Sequence, residues 1–201
     1  MNGGSSLETK NAPLSETLAS YLVFFRAALL RQRQMGAIFP SQRFLISKMI
    51  APVPADYEGE VIELGAGSGA LTLHLARQCP RALIRACEIN SSLARTTQKN
   101  LAAAGVGNRV EVIAERAELF LQNLPARPDF IISGIPLANL AKQQAAALVR
   151  QIHHSLAPGG LYIQFQHSLI DRKRIRDRFR TLRTLPAFLN FPPAFVYYAR
   201  K

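Results

Sequence analysis

The sequence predicts an α/β fold: a mostly parallel sheet with helices on both faces, preceded by an N-terminal amphipathic helix. Three observations carry this reading. From residue 60 onward, short apolar runs alternate with helical runs, the pattern of parallel strands joined by crossover helices. Glycines close the first apolar run and open the first of these helices. Hydrophobic residues make up 48% of 201 positions, enough for one packed core of ordinary domain size.

The elements follow in chain order. Residues 1–13 read as a polar tail. Residues 14–34, LSETLASYLVFFRAALLRQRQ, read as a helix that Ser15 can cap. Leu14, Leu18, Tyr21, Leu22, Phe25 and Leu29 recur at helical spacing, and Val23, Phe24 and Leu30 widen that stripe. Together, 1–34 form an arm and 35–201 the main domain. A short helix around Ser41 to Ile50 ends before Pro52 and Pro54. Strands are expected at Glu60–Leu64, Ala82–Glu88, Arg109–Ala114, Asp129–Ser133 and Leu161–His167. Helices are expected from the glycines to Gln78, over Ser91–Ala104, over 115–123 and over Asn139–Leu156. Gly105 stops the second of these. A strongly basic helix is expected at about 170–182. The stretch 184–199 is β-rich but carries Pro186, Pro192 and Pro193.

Composition excludes several classes. Two cysteines, Cys79 and Cys87, cannot build a disulfide framework or a four-ligand zinc site. No two histidines have metal spacing, so no metal is expected. The start, Met1-Asn2-Gly3-Gly4-Ser5-Ser6, lacks a secretion pattern. The longest uncharged stretch, Gln151 to Ile170, is broken by Pro158-Gly159-Gly160 and is not a spanning helix. Against 13 acidic residues stand 25 basic ones, a formal charge of +12. Such a surface seeks polyanions, either nucleic acid or an anionic membrane face.

The most informative stretch is Val61-Ile62-Glu63-Leu64-Gly65-Ala66-Gly67-Ser68-Gly69-Ala70. A glycine turn between strand and helix lets backbone approach a ligand closely and aims free N–H groups at it. Gly65-x-Gly67-x-x-Ala70 also satisfies a dinucleotide fingerprint, so the loop alone does not choose a cofactor. Glu88 ends the second strand, 19 residues after Gly69. That is the reach of a carboxylate accepting hydrogen bonds from both ribose hydroxyls of an adenosine. Glu63 decides further. A carboxylate two residues before the first glycine repels a pyrophosphate and attracts an amino group.

Acid, glycine loop and second strand-terminal acid together resemble the S-adenosylmethionine site of the Rossmann-like methyltransferases, over about residues 36–167. The resemblance implies that fold and S-adenosylmethionine as cofactor, with S-adenosylhomocysteine as product. It implies that Glu63, Gly65, Ala66, Gly67 and Gly69 cradle the methionine end and that Glu88, beside Ile89, takes the ribose. It sets Arg116 and Ala117 beside adenine and Ser133 at the donor. Where that family carries an acid for the adenine amino group, this chain reads Glu115-Arg116-Ala117. Backbone groups or Glu115 then hold adenine.

After the fourth strand, methyltransferases of adenine amino groups carry a polar side chain and a stacking aromatic. This chain reads Ser133-Gly134-Ile135-Pro136-Leu137 and has neither the amide nor the ring. The segment resembles that of the bacterial phospholipid N-methyltransferases. Gly36-Ala37-Ile38-Phe39-Pro40-Ser41, Pro158-Gly159-Gly160 with Gln164-Phe165, and Asn190-Phe191-Pro192-Pro193-Ala194 resemble further elements of that family. The resemblance implies methyl transfer to the amine of phosphatidylethanolamine and its mono- and dimethyl derivatives, towards phosphatidylcholine. The runner-up resemblance is to the rRNA adenine dimethylases, through Ser41-Gln42-Arg43-Phe44-Leu45. Nucleic acid is thus the second-ranked partner.

Anionic membrane lipids and phosphatidylethanolamine are the expected partners, at the cytoplasmic face of a membrane. Helix 14–34 sets Phe24, Phe25, Leu29 and Leu30 beside Arg26, Arg31 and Arg33, as an interfacial helix does. Residues 171–183 hold seven basic side chains against two acidic ones, each basic one worth about 1 kcal/mol near an anionic leaflet. The transferred methyl is expected to border Gly134, Ile135, Pro136 and Leu137. His167 is the first candidate for taking the amine proton, with Tyr197 behind it. Phe165, Tyr197 and Tyr198 are candidates to face the methylated cation. A non-catalytic module binding cofactor or anionic lipid is the alternative of a different class, and two acids in the donor site speak against it.

Overall fold

The computed structural model describes residues 40–188 and 193–201. The expected helix at 14–34, the segment Gly36 to Phe39 and Asn190-Phe191-Pro192 lie outside the described residues. Helix α1 spans Pro40–Ile50, followed by β1 (Glu60–Leu64), α2 (Ala70–Gln78), β2 (Leu83–Cys87), α3 (Ser91–Ala103) and β3 (Val110–Ile113). Then come α4 (Ala117–Gln122), β4 (Phe130–Ser133), a 3₁₀ turn (Leu137–Asn139) and α5 (Lys142–Ser155). The chain ends with β5 (Leu161–Gln166), α6 (Arg172–Arg176), β6 (Thr181–Ala187) and β7 (Ala194–Arg200).

The strands form one sheet in the order β3-β2-β1-β4-β5-β7-β6. β1 to β5 run parallel, and β7 inserts antiparallel between β5 and β6. Helices fill both faces because the strands are apolar on both sides. Met49 of α1, Leu75 of α2 and Leu101 of α3 cover one face. Phe120 of α4, Leu148 of α5 and Ile175 of α6 cover the other. Strand alternation divides β1 accordingly: Val61 joins the first layer, Ile62 and Leu64 the second. Chain order reverses between β2 and β4 around β1. Such a reversal opens a crevice at the carboxyl ends of the strands, where open α/β sheets bind ligands.

Two expectations at the C-terminal side are corrected. The basic helix at 170–182 is only Arg172–Arg176, and the chain is already in β6 at Thr181. Ile175 and Phe179 are buried in the second layer. Beyond them, pairing from Thr181↔Arg200 to Ala187↔Ala194 overrides the helical tendency of the arginines. The helix expected from Asn139 begins at Lys142, because Leu137–Asn139 form a separate 3₁₀ turn. Pro186 is accommodated because β6 is an edge strand.

Candidate active site

The crevice is built from the ends of β1, β2 and β4. The backbone N–H groups of Gly65 and Ala66 donate to the Cys87 carbonyl at 2.9 and 3.0 Å, which lashes the glycine loop to β2. The N–H of Gly67 donates to Glu88 Oε2 at 3.0 Å, and that of Gly69 to the Ala66 carbonyl at 2.9 Å. The loop's N–H groups at 65, 66, 67 and 69 are therefore already paired within the protein. The expectation of free N–H groups aimed at a ligand is corrected at these four positions. What the glycines provide is bare backbone. Gly69 has φ +80°, and a Cβ there would lie 2.6 Å from Thr97 Cγ2. Thr97 in turn donates its hydroxyl to the Gly67 carbonyl at 2.7 Å.

Glu63 and Glu88 are both buried, at 2% and 3% exposure. Glu63 Oε2 has no hydrogen-bond partner among the described residues, and neither does the buried hydroxyl of Thr72 on α2. Burial, opposed by the nearby Thr72 hydroxyl and reinforced by Glu88, pushes Glu63 up to about 8. Burial also raises Glu88, opposed by the backbone N–H groups of Asn90, Gly67 and Ile89. Glu88 accepts from the N–H of Asn90 through Oε1 at 2.9 Å and from Gly67 through Oε2. Each carboxylate oxygen offers two acceptor positions, so one on each oxygen remains for a vicinal diol. An orphaned buried carboxylate suits an ammonium, and a half-used one suits a ribose. The residues present fit S-adenosylmethionine.

The other expected cofactor contacts are distributed around this pair. Ala66 and Ala117 are buried, while Ile89, 42% exposed, offers an apolar face next to Glu88. Arg116 is half-exposed, with Nε 3.5 Å from Oε2 of Glu118 in the first turn of α4. Ser133 is fully buried, and its hydroxyl accepts from the Ile135 N–H at 3.2 Å.

The end of β4 lies against the glycine loop. Gly134 N–H donates to the Leu64 carbonyl at 2.9 Å. A Cβ on Gly134 would meet the Gly65 carbonyl at 3.3 Å and Phe165 Cε1 at 3.9 Å. Gly134, Ile135 and Pro136 are half-buried. Leu137 is not: at 1% exposure it belongs to the second core layer, so its expected place beside the methyl is corrected. Two residues missed at the sequence level hold this segment. Gln164 and Gln166 of β5 both donate to the Ile135 carbonyl, at 3.0 and 3.2 Å. The signal was available: buried parallel strands are nearly all apolar, and two glutamines at i and i+2 break that rule on one face.

His167 follows β5 and is exposed. Its Nδ1 lies 3.0 Å from the Pro193 carbonyl. A carbonyl only accepts, so Nδ1 carries the proton and Nε2 of the neutral ring is an acceptor. The Phe165 ring meets His167 edge-on at 5.7 Å between centroids. Tyr197 is fully buried, and its hydroxyl donates to the Ser168 carbonyl at 3.0 Å. It positions the loop that carries His167. Tyr198 donates to the Lys48 carbonyl on α1. Adjacent strand residues point to opposite faces, and Tyr197 and Tyr198 pack in different core layers. Phe165, Tyr197 and Tyr198 are therefore not brought together as one aromatic cage.

A family model described as a methyltransferase domain matches residues 61–160. The ornithine lipid N-methyltransferase of Singulisphaera acidiphila is 25% identical over 169 residues, covering 83% of this chain and 88% of that protein. A probable ribosomal RNA small subunit methyltransferase A of Pyrobaculum islandicum is 32% identical over 179 residues, covering 82% of this chain and 71% of that protein. A release factor glutamine methyltransferase of Neisseria gonorrhoeae is 33% identical over 99 residues, 48% of this chain, but only 34% of its own length is spanned. The fold matches the crystal structure of magnesium protoporphyrin IX methyltransferase from Synechocystis with bound S-adenosylmethionine, at TM-score 0.70 and 18% identity over 96% of this chain and 100% of that one. It matches 1,6-didemethyltoxoflavin-N1-methyltransferase of Burkholderia thailandensis, with bound S-adenosylhomocysteine, at TM-score 0.71 and 15% identity over 97% of this chain and 93% of that one. With the glycine cradle, the orphaned Glu63 and the half-used Glu88, these likenesses make the chain a member of the class I S-adenosylmethionine-dependent methyltransferases, and S-adenosylmethionine its cofactor.

Proposed function

We propose that the chain is a lipid N-methyltransferase acting on the amine of phosphatidylethanolamine and its partly methylated derivatives at an anionic membrane surface. The observation that carries this reading is the acceptor segment. Gly134-Ile135-Pro136 offers no amide for a nucleobase edge, and Leu137, where a stacking ring would stand, is buried in the core. A small aliphatic amine needs neither. The likeness to an ornithine lipid N-methyltransferase over 88% of that protein's length supports a lipid-borne amine.

When bound, the cofactor supplies an electrophilic methyl group on a sulfonium. The chain's own residues have three tasks. Glu63 and Glu88 hold the donor. Gly134 and the half-buried Ile135 and Pro136 press the acceptor against it and exclude water, because a reacting pair must be held near contact distance. An alkylammonium titrates near ~10.4, so at neutral pH only about one amine in a thousand is free base. His167 Nε2, left as acceptor by the Nδ1 bond to Pro193, takes the proton.

A radiolabelled-methyl assay offering phosphatidylethanolamine vesicles and rRNA side by side tests the reading. Label is expected in lipid. The second reading is an RNA adenine methyltransferase, favoured by the 32% identity to the Pyrobaculum relative. Label in RNA alone would put it first.

A further inference from the structure

Three large apolar side chains stand exposed on two neighbouring loops: Leu169 at 48%, Ile170 at 76% and Phe188 at 69%. Both loops lie at the carboxyl end of β5, the end that carries the active site. Residues 167–171 follow β5 directly. Phe188 follows β6, whose last residue Ala187 pairs with Ala194, next to the Phe195↔Gln166 pair. The two loops are tied together. His167 bonds the Pro193 carbonyl, Tyr197 holds Ser168, and the Phe188 ring meets Phe195 at 6.4 Å. Isolated exposed apolar residues need no explanation, but a cluster beside a site does.

Basic side chains outnumber acids beside the cluster. Arg172 and Lys173 stand two and three residues after Ile170, and Lys48 donates from α1 to the Pro186 carbonyl at 2.6 Å, two residues before Phe188. Arg172 is exposed, and Lys173, 76% exposed in its side chain, pairs with Asp177, 48% exposed. The one acid within the loop, Asp171, is turned inward at 1% exposure against Arg174. Apolar tips beside an excess of cations match a bilayer interface, with side chains in the acyl boundary and cations at lipid phosphates. The rest of the basic segment lies elsewhere. Since Thr181 pairs with Arg200, itself opposite Leu161, the chain at Arg178 and Arg180 has crossed to the far end of the sheet.

We propose that Leu169, Ile170 and Phe188 are a membrane-docking surface that inserts into an anionic bilayer and brings the mouth of the active site to the lipid amine. The proposal deepens the lipid reading and rests on it. It explains how a substrate anchored by its acyl chains reaches Ile135 and His167 without leaving the membrane.

Flotation of the full chain with phosphatidylglycerol–phosphatidylethanolamine vesicles tests it, with Leu169→Ser/Ile170→Ser/Phe188→Ser as the variant. All three side chains are exposed, so the fold is expected to survive, as checked by an unchanged melting temperature. The wild type is expected to float, and less so at high salt. The variant should lose at least a hundredfold in partitioning, as removal of three inserted apolar side chains implies. It should still methylate short-chain phosphatidylethanolamine dispersed as monomers. Equal flotation of variant and wild type overturns the proposal and moves attachment elsewhere, as does failure of the wild type to float or its displacement from vesicles by RNA. The monomer assay separates the two readings. Methylated monomers with an indifferent trio sink the docking surface alone. A trio-dependent protein that methylates RNA and no lipid leaves the surface standing and sinks the substrate.

Discussion

Glu63 and Glu88 stand one strand apart, yet their surroundings assign them different work. Glu88 already accepts two backbone N–H groups and keeps room for two more donors. Glu88→Ala should therefore abolish cofactor binding by calorimetry, while Glu88→Gln, which retains one acceptor, should keep a weakened affinity. Equal binding by Glu88→Ala and wild type would remove the ribose assignment. At His167, replacement by Ala should lower kcat by about a hundredfold, in the range of a lost general base, with little change in KM. A raised KM at unchanged kcat would instead make it a binding residue. The placement of these side chains at strand ends was legible in the sequence because it follows from short spacings around the glycine loop and the strands. Thr72, Gln164 and Gln166 were not. Gln164 and Gln166 find their partner, the Ile135 carbonyl, 29 and 31 residues away along the chain, a distance only the sheet closes.

At the scale of elements, two small devices keep the site in register. Asn90 caps α3 by accepting from the Leu93 N–H at 3.0 Å, while its own N–H donates to Glu88. Asn90→Ala should cost about 1 kcal/mol of stability and leave cofactor affinity nearly intact, since the backbone bond to Glu88 survives. Thermal melts and calorimetry on the same sample check both halves. The second device is the pair of glutamines that latches Ile135 to β5. Gln166→Leu should raise KM for the amine and leave cofactor affinity alone, since the latch touches the acceptor segment and not the glycine loop. A loss of cofactor affinity would show that the latch supports both. Strand and helix order was readable here from alternating apolar runs, and the parallel strands fall within a residue of their expected bounds. The basic segment was misread because arginines are good helix formers, whereas the pairing of β6 with β7 is a tertiary contact that local sequence does not display.

For the whole molecule, the sequence carried the parallel sheet but not its order, since the return of β7 between β5 and β6 depends on packing. That sheet buries Glu63 in a place where no donor among the described residues meets Oε2, and the consequence is global. A folded chain whose glutamate sits near 8 instead of the ordinary 4.5 binds more protons than the unfolded chain between those values. Stability from this group is complete below 4.5, declines as pH rises through the window and levels off above 8. The slope approaches about 1.4 kcal/mol per pH unit. Other carboxylates, such as Asp177, held low chiefly by its hydrogen bond to Lys173, contribute with the opposite sign, so the readout is a difference. Glu63→Gln should match the wild type in urea unfolding near pH 4.5 and exceed it increasingly towards pH 8. Binding of the cofactor's ammonium reverses the preference, because it needs the ionised form. At pH 7 the wild type should then release close to one proton per cofactor bound, measured by calorimetry in buffers of different ionisation enthalpy, and Glu63→Gln should release none. A wild type that binds the cofactor without proton release would mean that Glu63 is already ionised or that the ammonium lies elsewhere.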